Sequence, residues 1–349
     1  MNGPLPPVPE DITDLARPLG DPAPTGAPGR ATEDDRAVED YLLERRQAFQ
    51  GQGIEGRSVA IDPGSGCQTG VASRLFRALG ARVTAIHDEL DGAFARRHPD
   101  CAVPGHLAAL CETVRQAGAT VGIAFDGDGD RLAIVDDLGR PVSAEQVAML
   151  LLTRAILVPK GAPVILDIKS SMNVERLIRE AGGVPVRCKS SHAFIKRAVL
   201  ERDAVMGCEV TGHLFLRELG GIDDPLYTAL LFCRWLAGQR AAVSALVDAL
   251  PRFYVSPDLR LRMPAEQVAA LQERLLAEAP ATDIDRTDGV RLIWPEGWLL
   301  ARRSVTEQAV TLRFEGEDAE GLTAVVERFL GVFPDLRSRV SEALTRHVR

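Results

Sequence analysis

Three aspartates in one short loop are the residues of this chain best suited to chemistry. Asp126, Asp128 and Asp130 alternate with glycines, and Arg131 follows them. Alternate residues of an extended loop project to the same side, so the three carboxylates can converge. Each pair would then repel by about 4 kcal/mol at an effective dielectric near 20, and a bound cation would remove this cost. Carboxylates, phosphate oxygens and water suit Mg²⁺. The loop therefore predicts a magnesium site rather than a solvated acidic turn.

A calcium-binding EF-hand is the nearest competing interpretation, because its loop also opens with alternating aspartates. That loop requires glycine at its sixth position and glutamate at its twelfth. Here those positions hold Arg131 and Asp137, and the residues between them are mostly apolar and prone to form a strand. The sequence therefore argues against an EF-hand.

The composition limits the possible partners of the chain. Its formal net charge of −8 argues against a nucleic acid held through phosphate contacts. Six scattered cysteines without a C-x-x-C pair indicate reduced thiols, and we expect a cytoplasmic location. No apolar run is long enough to span a bilayer, so we expect no membrane partner.

Strand-like and helix-like segments alternate along most of the chain. This alternation predicts the α/β class, with two successive α/β/α domains and mainly parallel sheets, over residues 37–143 and 144–254. Residues 255–349 show alternating strand patterns between helices, which predicts a small α+β domain. Residues 1–36 are rich in proline, glycine, alanine and aspartate and predict a disordered or loosely ordered tail, with one helical turn near Ile12–Ala16.

A glycine-rich turn from Gly64 to Gly70 follows the first predicted strand and opens a helix, and Asp88 ends the next strand. This arrangement is similar to a dinucleotide-binding fingerprint, although its spacing is one residue longer than the standard form. We interpret it first as a tight turn between strand and helix. The second interpretation is the cofactor site of an NAD-dependent oxidoreductase.

The segment from Gly207 to His213 places polar side chains between glycines at the end of a predicted strand. Glu209, Thr211 and His213 could read the hydroxyl groups of a sugar. The alternative is a plain turn with a surface histidine.

Two further loops carry cationic and hydroxyl side chains. His192 and Lys196 lie one helical turn apart, where they could meet an anion or simply begin a helix behind a serine N-cap. Arg302, Ser304 and Thr306 lie between two predicted strands of the last domain. There they could form a fork for a phosphate group or only a basic hairpin turn.

The four loops, in this order, resemble those of the α-D-phosphohexomutase superfamily, and most closely its phosphomannomutase/phosphoglucomutase branch. In that family a D-G-D-G-D-R loop holds Mg²⁺. The resemblance implies that Asp126, Asp128 and Asp130 are the ligands and that Arg131 is the catalytic-site arginine after them. Similarity to a G-E-x-S-G-H loop implies sugar contacts for three residues, with threonine in place of the serine: Glu209, Thr211 and His213.

The resemblance extends over residues 37–335 and includes two more motifs. A G-H-x-x-I-K segment near the substrate implies catalytic roles for His192 and Lys196. A phosphate loop of the form R-x-S-N-T-x-P implies substrate binding by Arg302, Ser304 and Thr306. The chain departs from this loop twice, with a valine in place of the asparagine and a glutamine in place of the proline.

The family nucleophile is a phosphoserine in a Ser-His-Asn-Pro loop of a first domain. No serine precedes Ser58, so we expect that domain and its nucleophile to be missing, and Ser65 is a poor substitute. The resemblance implies Mg²⁺-dependent intramolecular phosphoryl transfer on glucose or mannose phosphate, incomplete in this chain alone. We expect the first domain to be supplied by a separate protein or to be encoded upstream of a misplaced start codon. Its absence could leave an apolar face exposed, which would favour self-association or a partner. The alternative is a non-catalytic protein that binds hexose phosphates.

Overall fold

The computed structural model describes Val8, Thr32, Asp34, residues 36–304 and residues 307–346. The predicted tail and its helical turn near Ile12–Ala16 therefore lie almost entirely outside the described residues. Among the described residues, no helix combines the length and the apolar character needed to cross a membrane.

The chain divides into two compact units. The first runs to Ile165 and adds Leu177–Val186 and Ser191–Leu250. The second comprises Leu166–Arg176, Arg187–Ser190 and the chain from Pro251 onward. This division differs from the three predicted domains, whose boundaries remain a prediction.

The first sheet belongs to the first unit and has the strand order β2-β1-β3-β4-β5. Its strands are β1 (Ser58–Asp62), β2 (Arg82–Ala85), β3 (Val121–Phe125), β4 (Leu132–Val135) and β5 (Pro141–Val142). β1 pairs in parallel with β2 and β3, whereas β3–β4 and β4–β5 are antiparallel. The acidic loop is therefore the connection of an antiparallel hairpin added to a parallel sheet.

Three helices accompany this sheet: α1 (Ala37–Phe49), α2 (Val71–Ala78) and α3 (Ala108–Ala117). α3 packs against β1 and β3 through Leu110 and Val114, which are fully buried with Ala60 and Ala124 of the strands. All residues of β3 and β4 are buried, so both ends of the acidic loop are anchored in the core.

The second sheet has the order β7-β6-β8-β9. Its strands are β6 (Pro163–Asp167), β7 (Val184–Cys188), β8 (Met206–Cys208) and β9 (Leu214–Leu216). The helices of this region are α4 (Ala144–Arg154), α5 (Met172–Glu180), α6 (His192–Glu201), α7 (Pro225–Ala237) and α8 (Val243–Asp248). The strand predicted at 204–206 begins two residues later. β8 and β9 form an antiparallel hairpin whose connection is the glycine-flanked segment with Glu209 and His213.

The second unit is built on an antiparallel sheet of the order β10-β15-β14-β13-β12, with β11 also paired to β15. Its strands are β10 (Tyr254–Val255), β11 (Leu259–Arg262), β12 (Asp283–Asp285), β13 (Val290–Trp294), β14 (Gly297–Arg303) and β15 (Ala309–Gly316). Its helices are α9 (Ala265–Glu278), α10 (Ala319–Val332) and α11 (Arg337–Arg346). The predicted class, α/β with a C-terminal sheet-containing part, is confirmed.

Candidate functional site

Asp126 organises the acidic loop from within. Its side chain is fully buried, and its Oδ1 accepts the backbone N–H groups of Gly129 at 3.1 Å and of Asp130 and Arg131 at 3.0 Å each. Its Oδ2 accepts Nε–H of Arg131 at 2.6 Å. The loop therefore curls around one carboxylate, which holds the backbone between β3 and β4 in place.

Arg131 bridges this loop to the neighbouring Asp100, whose Oδ1 accepts Nη1–H at 2.9 Å. Burial opposes the charge of the guanidinium, but Asp126 and Asp100 outweigh it and raise the pKa of Arg131. The pKa of Asp128 is raised by burial and by its proximity to Asp126. The arginine thus stabilises the charged form of Asp126, whereas burial and the neighbouring Asp126 disfavour the charged form of Asp128.

The three aspartates come together as the sequence predicted they could. One carboxylate oxygen each from Asp126, Asp128 and Asp130 lies within 4.8 Å of the others. A donor set made only of carboxylate oxygens fits a hard cation such as Mg²⁺. Asp128 is the most exposed of the three, and the residues present fit the expected ion.

The glycine-rich turn supports the acidic loop directly. The N–H of Cys67 donates to the carbonyl of Gly127 at 3.0 Å, and Nε2–H of Gln68 donates to the carbonyl of Gly129 at 3.4 Å. A Cβ on Gly66 would clash with the backbone of Gly127. The close contact between the two backbones therefore explains the glycine at position 66.

Asp88 has a structural role at the beginning of α2. Its Oδ1 accepts N–H of Gly70 at 2.7 Å, and its Oδ2 accepts the hydroxyl of Ser73 at 2.6 Å. In a dinucleotide-binding site, the donors at the beginning of the helix bind the pyrophosphate of the cofactor. Here an acidic side chain already accepts hydrogen bonds from the donors at this position. The interpretation as a tight strand-to-helix turn is the one that these contacts support.

Arg97 is a supporting residue that the sequence reasoning missed. It is buried, its Nη2–H donates to the carbonyl of Phe125 at 2.6 Å, and its Nε pairs with the fully buried Asp62 at 3.0 Å. It thereby fixes the residue just before Asp126. No local pattern marks an arginine whose partners lie 28 and 35 residues away, so the sequence offered no signal.

The glycine-flanked segment between β8 and β9 forms a tight turn, in which N–H of Glu209 donates to the carbonyl of His213 at 3.0 Å. Glu209 is buried. The hydroxyl oxygen of Thr211 is also buried and has no hydrogen-bond partner among the described residues. An unsatisfied buried hydroxyl is costly, which suits a position that a polar ligand completes.

The acidic loop and this turn meet. N–H of Leu132, the first residue after Arg131, donates to the carbonyl of Gly212 at 3.2 Å. His213 Nδ1 lies 3.7 Å from Asp130 Oδ1. The structure thus brings the predicted metal residues and the predicted sugar residues to one place within the first unit.

Asp223 joins both predicted histidines and was not a predicted site residue. It lies 2.9 Å from His213 Nδ1 and 3.0 Å from His192 Nε2. Burial would raise its pKa, but hydrogen bonds to both rings lower it to about 2. Burial likewise opposes protonation of His213, yet Asp223, Asp130 and Glu209 together raise its pKa. Ligand atoms of these rings and of two aspartates, Asp130 and Asp223, also lie within 4.8 Å of one another.

Lys196 lies on α6, one turn after His192, and is half-buried. Among the described residues, no hydrogen bond of its side chain is seen. The structure therefore places the two residues on one helix as predicted.

The predicted phosphate loop belongs to the second unit and is only partly described. Thr306 lies outside the described residues. Arg302 is buried, and its Nε pairs with Asp288 at 2.8 Å. Ser304 lines a cavity of about 430 Å³ together with Arg303. The described part thus shows Arg302 engaged by a carboxylate, a partner that the sequence reasoning did not anticipate.

Comparison with known proteins matches two family models to the chain. Phosphoglucomutase/phosphomannomutase, alpha/beta/alpha domain II, matches residues 40–139, and domain III of the same family matches residues 144–254. The phosphomannomutase/phosphoglucomutase of Pseudomonas syringae is 34% identical over 278 residues, which are 79% of this chain and 59% of that protein. The phosphoglucomutase of Neisseria gonorrhoeae is 34% identical over 280 residues, 79% of this chain and 61% of that protein.

Solved structures agree with these matches. A phosphoglucomutase/phosphomannomutase family protein from Burkholderia thailandensis superposes with a TM-score of 0.83 at 30% identity, over 95% of this chain and 70% of that one. An N-acetylphosphoglucosamine mutase of Aspergillus fumigatus, solved with GlcNAc-6P and magnesium, shares the fold at 13% identity with a TM-score of 0.58, over 91% of this chain and 68% of that one. The chain spans about three fifths of the length of the curated relatives. These matches cover most of the described residues, and the chain therefore belongs to the phosphoglucomutase/phosphomannomutase family.

Proposed function

We propose that this chain binds a hexose phosphate beside Mg²⁺ and takes part in phosphoryl transfer on glucose or mannose phosphates. The observation that carries the proposal is the junction of the two loops: Leu132 is bonded to Gly212, and His213 lies 3.7 Å from Asp130. A sugar held by the turn would thus have its phosphate close to the acidic loop. The names of the relatives, which are mutases of glucose and mannose phosphates, support this substrate class.

Asp126, Asp128 and Asp130 would hold the metal. When bound, Mg²⁺ neutralises charge on phosphoryl oxygens and so favours phosphoryl transfer. Arg131, fixed between Asp126 and Asp100, keeps the loop in one shape. Positioning of this kind accounts for a large share of catalysis in phosphoryl transfer.

The turn residues would orient the sugar. Glu209 can accept hydrogen bonds from hydroxyl groups, and the hydroxyl of Thr211 has its hydrogen-bonding capacity free among the described residues. His213 and His192 each use one ring nitrogen toward Asp223, which leaves the other nitrogen for a ligand. We include Lys196 as a cation for the phosphate, since it follows His192 by one turn of α6.

The phosphoryl donor is a separate part of the proposal. Ser65 is nearly inaccessible, adopts a positive φ of 59°, and donates its hydroxyl to the carbonyl of His87 at 3.4 Å. These contacts suit a structural serine rather than a nucleophile. We propose that a first domain of the family type supplies the donor serine, and that the chain acts in the cytoplasm, where the six free cysteines would stay reduced.

A coupled mutase assay tests the proposal on the purified chain with Mg²⁺, glucose 1-phosphate or mannose 1-phosphate, and a hexose bisphosphate as activator. Calorimetric titration of the same sugar phosphates is run in parallel. Saturable binding that requires Mg²⁺ and is lost in Asp128→Asn would support the site. Absence of binding to every hexose phosphate would contradict it.

A non-catalytic hexose-phosphate-binding protein is the second candidate. The Arg302–Asp288 pair favours it, because a guanidinium engaged by a carboxylate is less available to a substrate phosphate. Binding without turnover, even when a family first domain is added in trans, would favour this candidate. Turnover that is abolished in Asp128→Asn would exclude it.

A further inference from the structure

Asp223 occupies the space between two histidine rings of the proposed site. Its side chain is only 6% exposed, and its Oδ2 lies 2.9 Å from His213 Nδ1 and 3.0 Å from His192 Nε2. Its Oδ1 lies 3.2 Å from the same nitrogen of His192. One carboxylate therefore contacts different nitrogens of the two rings.

A carboxylate can only accept hydrogen bonds, so each contacting nitrogen must carry a hydrogen. In a neutral imidazole the other nitrogen then keeps its lone pair. Asp223 thus selects the tautomer with hydrogen on Nδ1 in His213 and the opposite tautomer, with hydrogen on Nε2, in His192. The acceptor nitrogens that remain are Nε2 of His213 and Nδ1 of His192.

The two rings also pack against each other and against one buried aromatic side chain. The rings of His192 and His213 meet edge to face, with centroids 5.3 Å apart. The fully buried Phe215 contacts both, with its centroid 5.2 Å from His192 and 6.0 Å from His213. The geometry of the two rings is therefore set by one apolar and one charged side chain.

We propose that Asp223 is a positioning residue that fixes opposite tautomers in His213 and His192 and so presents two acceptor nitrogens to the hydroxyl groups of the ligand. The proposal rests on the proposed function in one respect, since the two remaining acceptor nitrogens matter for binding only if a sugar phosphate is bound there. The orientation of the rings is a property of the chain itself and can be measured without ligand.

Long-range ¹H–¹⁵N correlation spectra of the imidazoles, recorded at a pH at which both rings are neutral, test the proposed tautomers. His192→Gln and His213→Gln assign the two ring signals. We expect the wild-type chain to show hydrogen on Nδ1 of His213 and on Nε2 of His192. In Asp223→Asn this pattern should be lost, because a carboxamide can donate as well as accept and no longer selects one tautomer.

Asp224→Asn is the matched control. Asp224 accepts N–H of Tyr227 at 2.8 Å and the hydroxyl of Tyr41 at 2.9 Å, so its loss weakens the same segment of the chain. We expect this variant to lose stability and keep the wild-type ring spectra. Ring spectra unchanged in Asp223→Asn, or changed equally in Asp224→Asn, would overturn the proposal.

Titration with glucose 1-phosphate and Mg²⁺ separates this inference from the proposed function. We expect Asp223→Asn to bind the sugar phosphate about tenfold more weakly than Asp224→Asn. A wild-type chain with the expected tautomers that binds no sugar phosphate would contradict the proposed function and leave the positioning of the rings supported. Equal binding by the two variants would overturn the role of Asp223 in presenting the rings to the ligand.

Discussion

The backbone N–H of Leu132 donates to the carbonyl of Gly212 at 3.2 Å and thereby joins the acidic loop to the turn that carries His213. Leu132 begins β4, and Gly212 has a φ of +104°, which side-chain-bearing residues rarely adopt. The position of the proposed sugar-binding turn relative to the three aspartates thus depends on one glycine.

Gly212→Ala should weaken both the fold and the proposed metal site. A Cβ there would lie 2.7 Å from the carbonyl oxygen of Leu132, so the two loops must separate. Gly220→Ala is the control, because Gly220 also has a positive φ, +67°, but its added Cβ would meet nothing within 4 Å. We expect about 1–2 kcal/mol of destabilisation for the control from the backbone alone. We expect a further loss of about 1–3 kcal/mol for Gly212→Ala, measured by urea unfolding, from the close contact. Equal losses in the two variants would contradict the proposed role of the junction.

Removal of the metal should destabilise the wild-type chain and leave Asp128→Asn unaffected. At a free Mg²⁺ concentration of 100 times the dissociation constant, binding adds about 2.7 kcal/mol to the free energy of unfolding. Thermal unfolding with Mg²⁺ and with EDTA measures the difference. In EDTA, Asp128→Asn should be at least as stable as the wild type, because the substitution removes repulsion from Asp126. Asp203→Asn, at an exposed site, serves as the control and should keep the full response to Mg²⁺.

The acidic loop could be predicted because its signal is local. Alternating aspartates between two apolar runs specify both the convergence of carboxylates and the strands that hold them, and the structure brings these oxygens together. The parallel strands and the C-terminal meander also follow from short-range patterns. The antiparallel pairing of β4 with β3 could not be predicted from the sequence, because the same apolar run could follow either a hairpin turn or a crossover connection.

The partners of the site residues could not be predicted, because they depend on tertiary contacts. Asp223 looks like one of two adjacent aspartates before a helix, yet it joins two histidines, whereas Asp224 caps α7. Arg302 looks like a free phosphate ligand in the sequence, yet it pairs with Asp288 from the turn between β12 and β13. Local spacing in the sequence identifies the residues that could do chemistry. The distances in the folded chain decide which of them are already paired with another side chain.

Arg97→Ala should cost about 3–5 kcal/mol of stability, because it leaves the fully buried carboxylate of Asp62 without its guanidinium. It should also weaken Mg²⁺ binding about tenfold, since the carbonyl of Phe125 next to the acidic loop loses its donor. The neighbouring Arg96 is exposed, and Arg96→Ala should change stability by no more than about 0.5 kcal/mol. Urea unfolding and Mg²⁺ titration compare the two variants, and similar values for both would show that Arg97 does not support the loop.

Asp288→Asn should increase the affinity of the second unit for phosphate. The substitution removes the carboxylate that holds Nε of Arg302 at 2.8 Å and frees its charge for an anion. We expect roughly a fivefold to tenfold tighter binding of inorganic phosphate, measured by calorimetry at low salt and lost in the double variant with Arg302→Ala. Exposed Asp283→Asn, in the same unit, controls for the change in net charge. Unchanged affinity in Asp288→Asn would indicate that Arg302 does not bind phosphate in this chain.

The acid stability of the second unit should depend on Asp258. Its carboxylate lies 3.4 Å from Lys169 Nζ and 3.0 Å from Arg313 Nη1. Burial alone would raise its pKa, but the two cations outweigh burial and lower it below the ordinary value. Because the pKa is lower in the folded state than in the unfolded state, the stabilisation is complete above the unfolded value near 4 and is lost as the pH falls through the folded value.

We therefore expect the unfolding free energy of the wild type to decrease below about pH 4 more steeply than that of Asp258→Asn. Denaturant unfolding between pH 2 and pH 6 measures the two slopes. Glu278 also has a lowered pKa, because it pairs with Arg274, but this pair lies on the surface and is screened by salt. Glu278→Gln should therefore leave the acid slope close to that of the wild type at moderate salt. An identical slope in Asp258→Asn and the wild type would show that the cations around Asp258 do not stabilise its charged form.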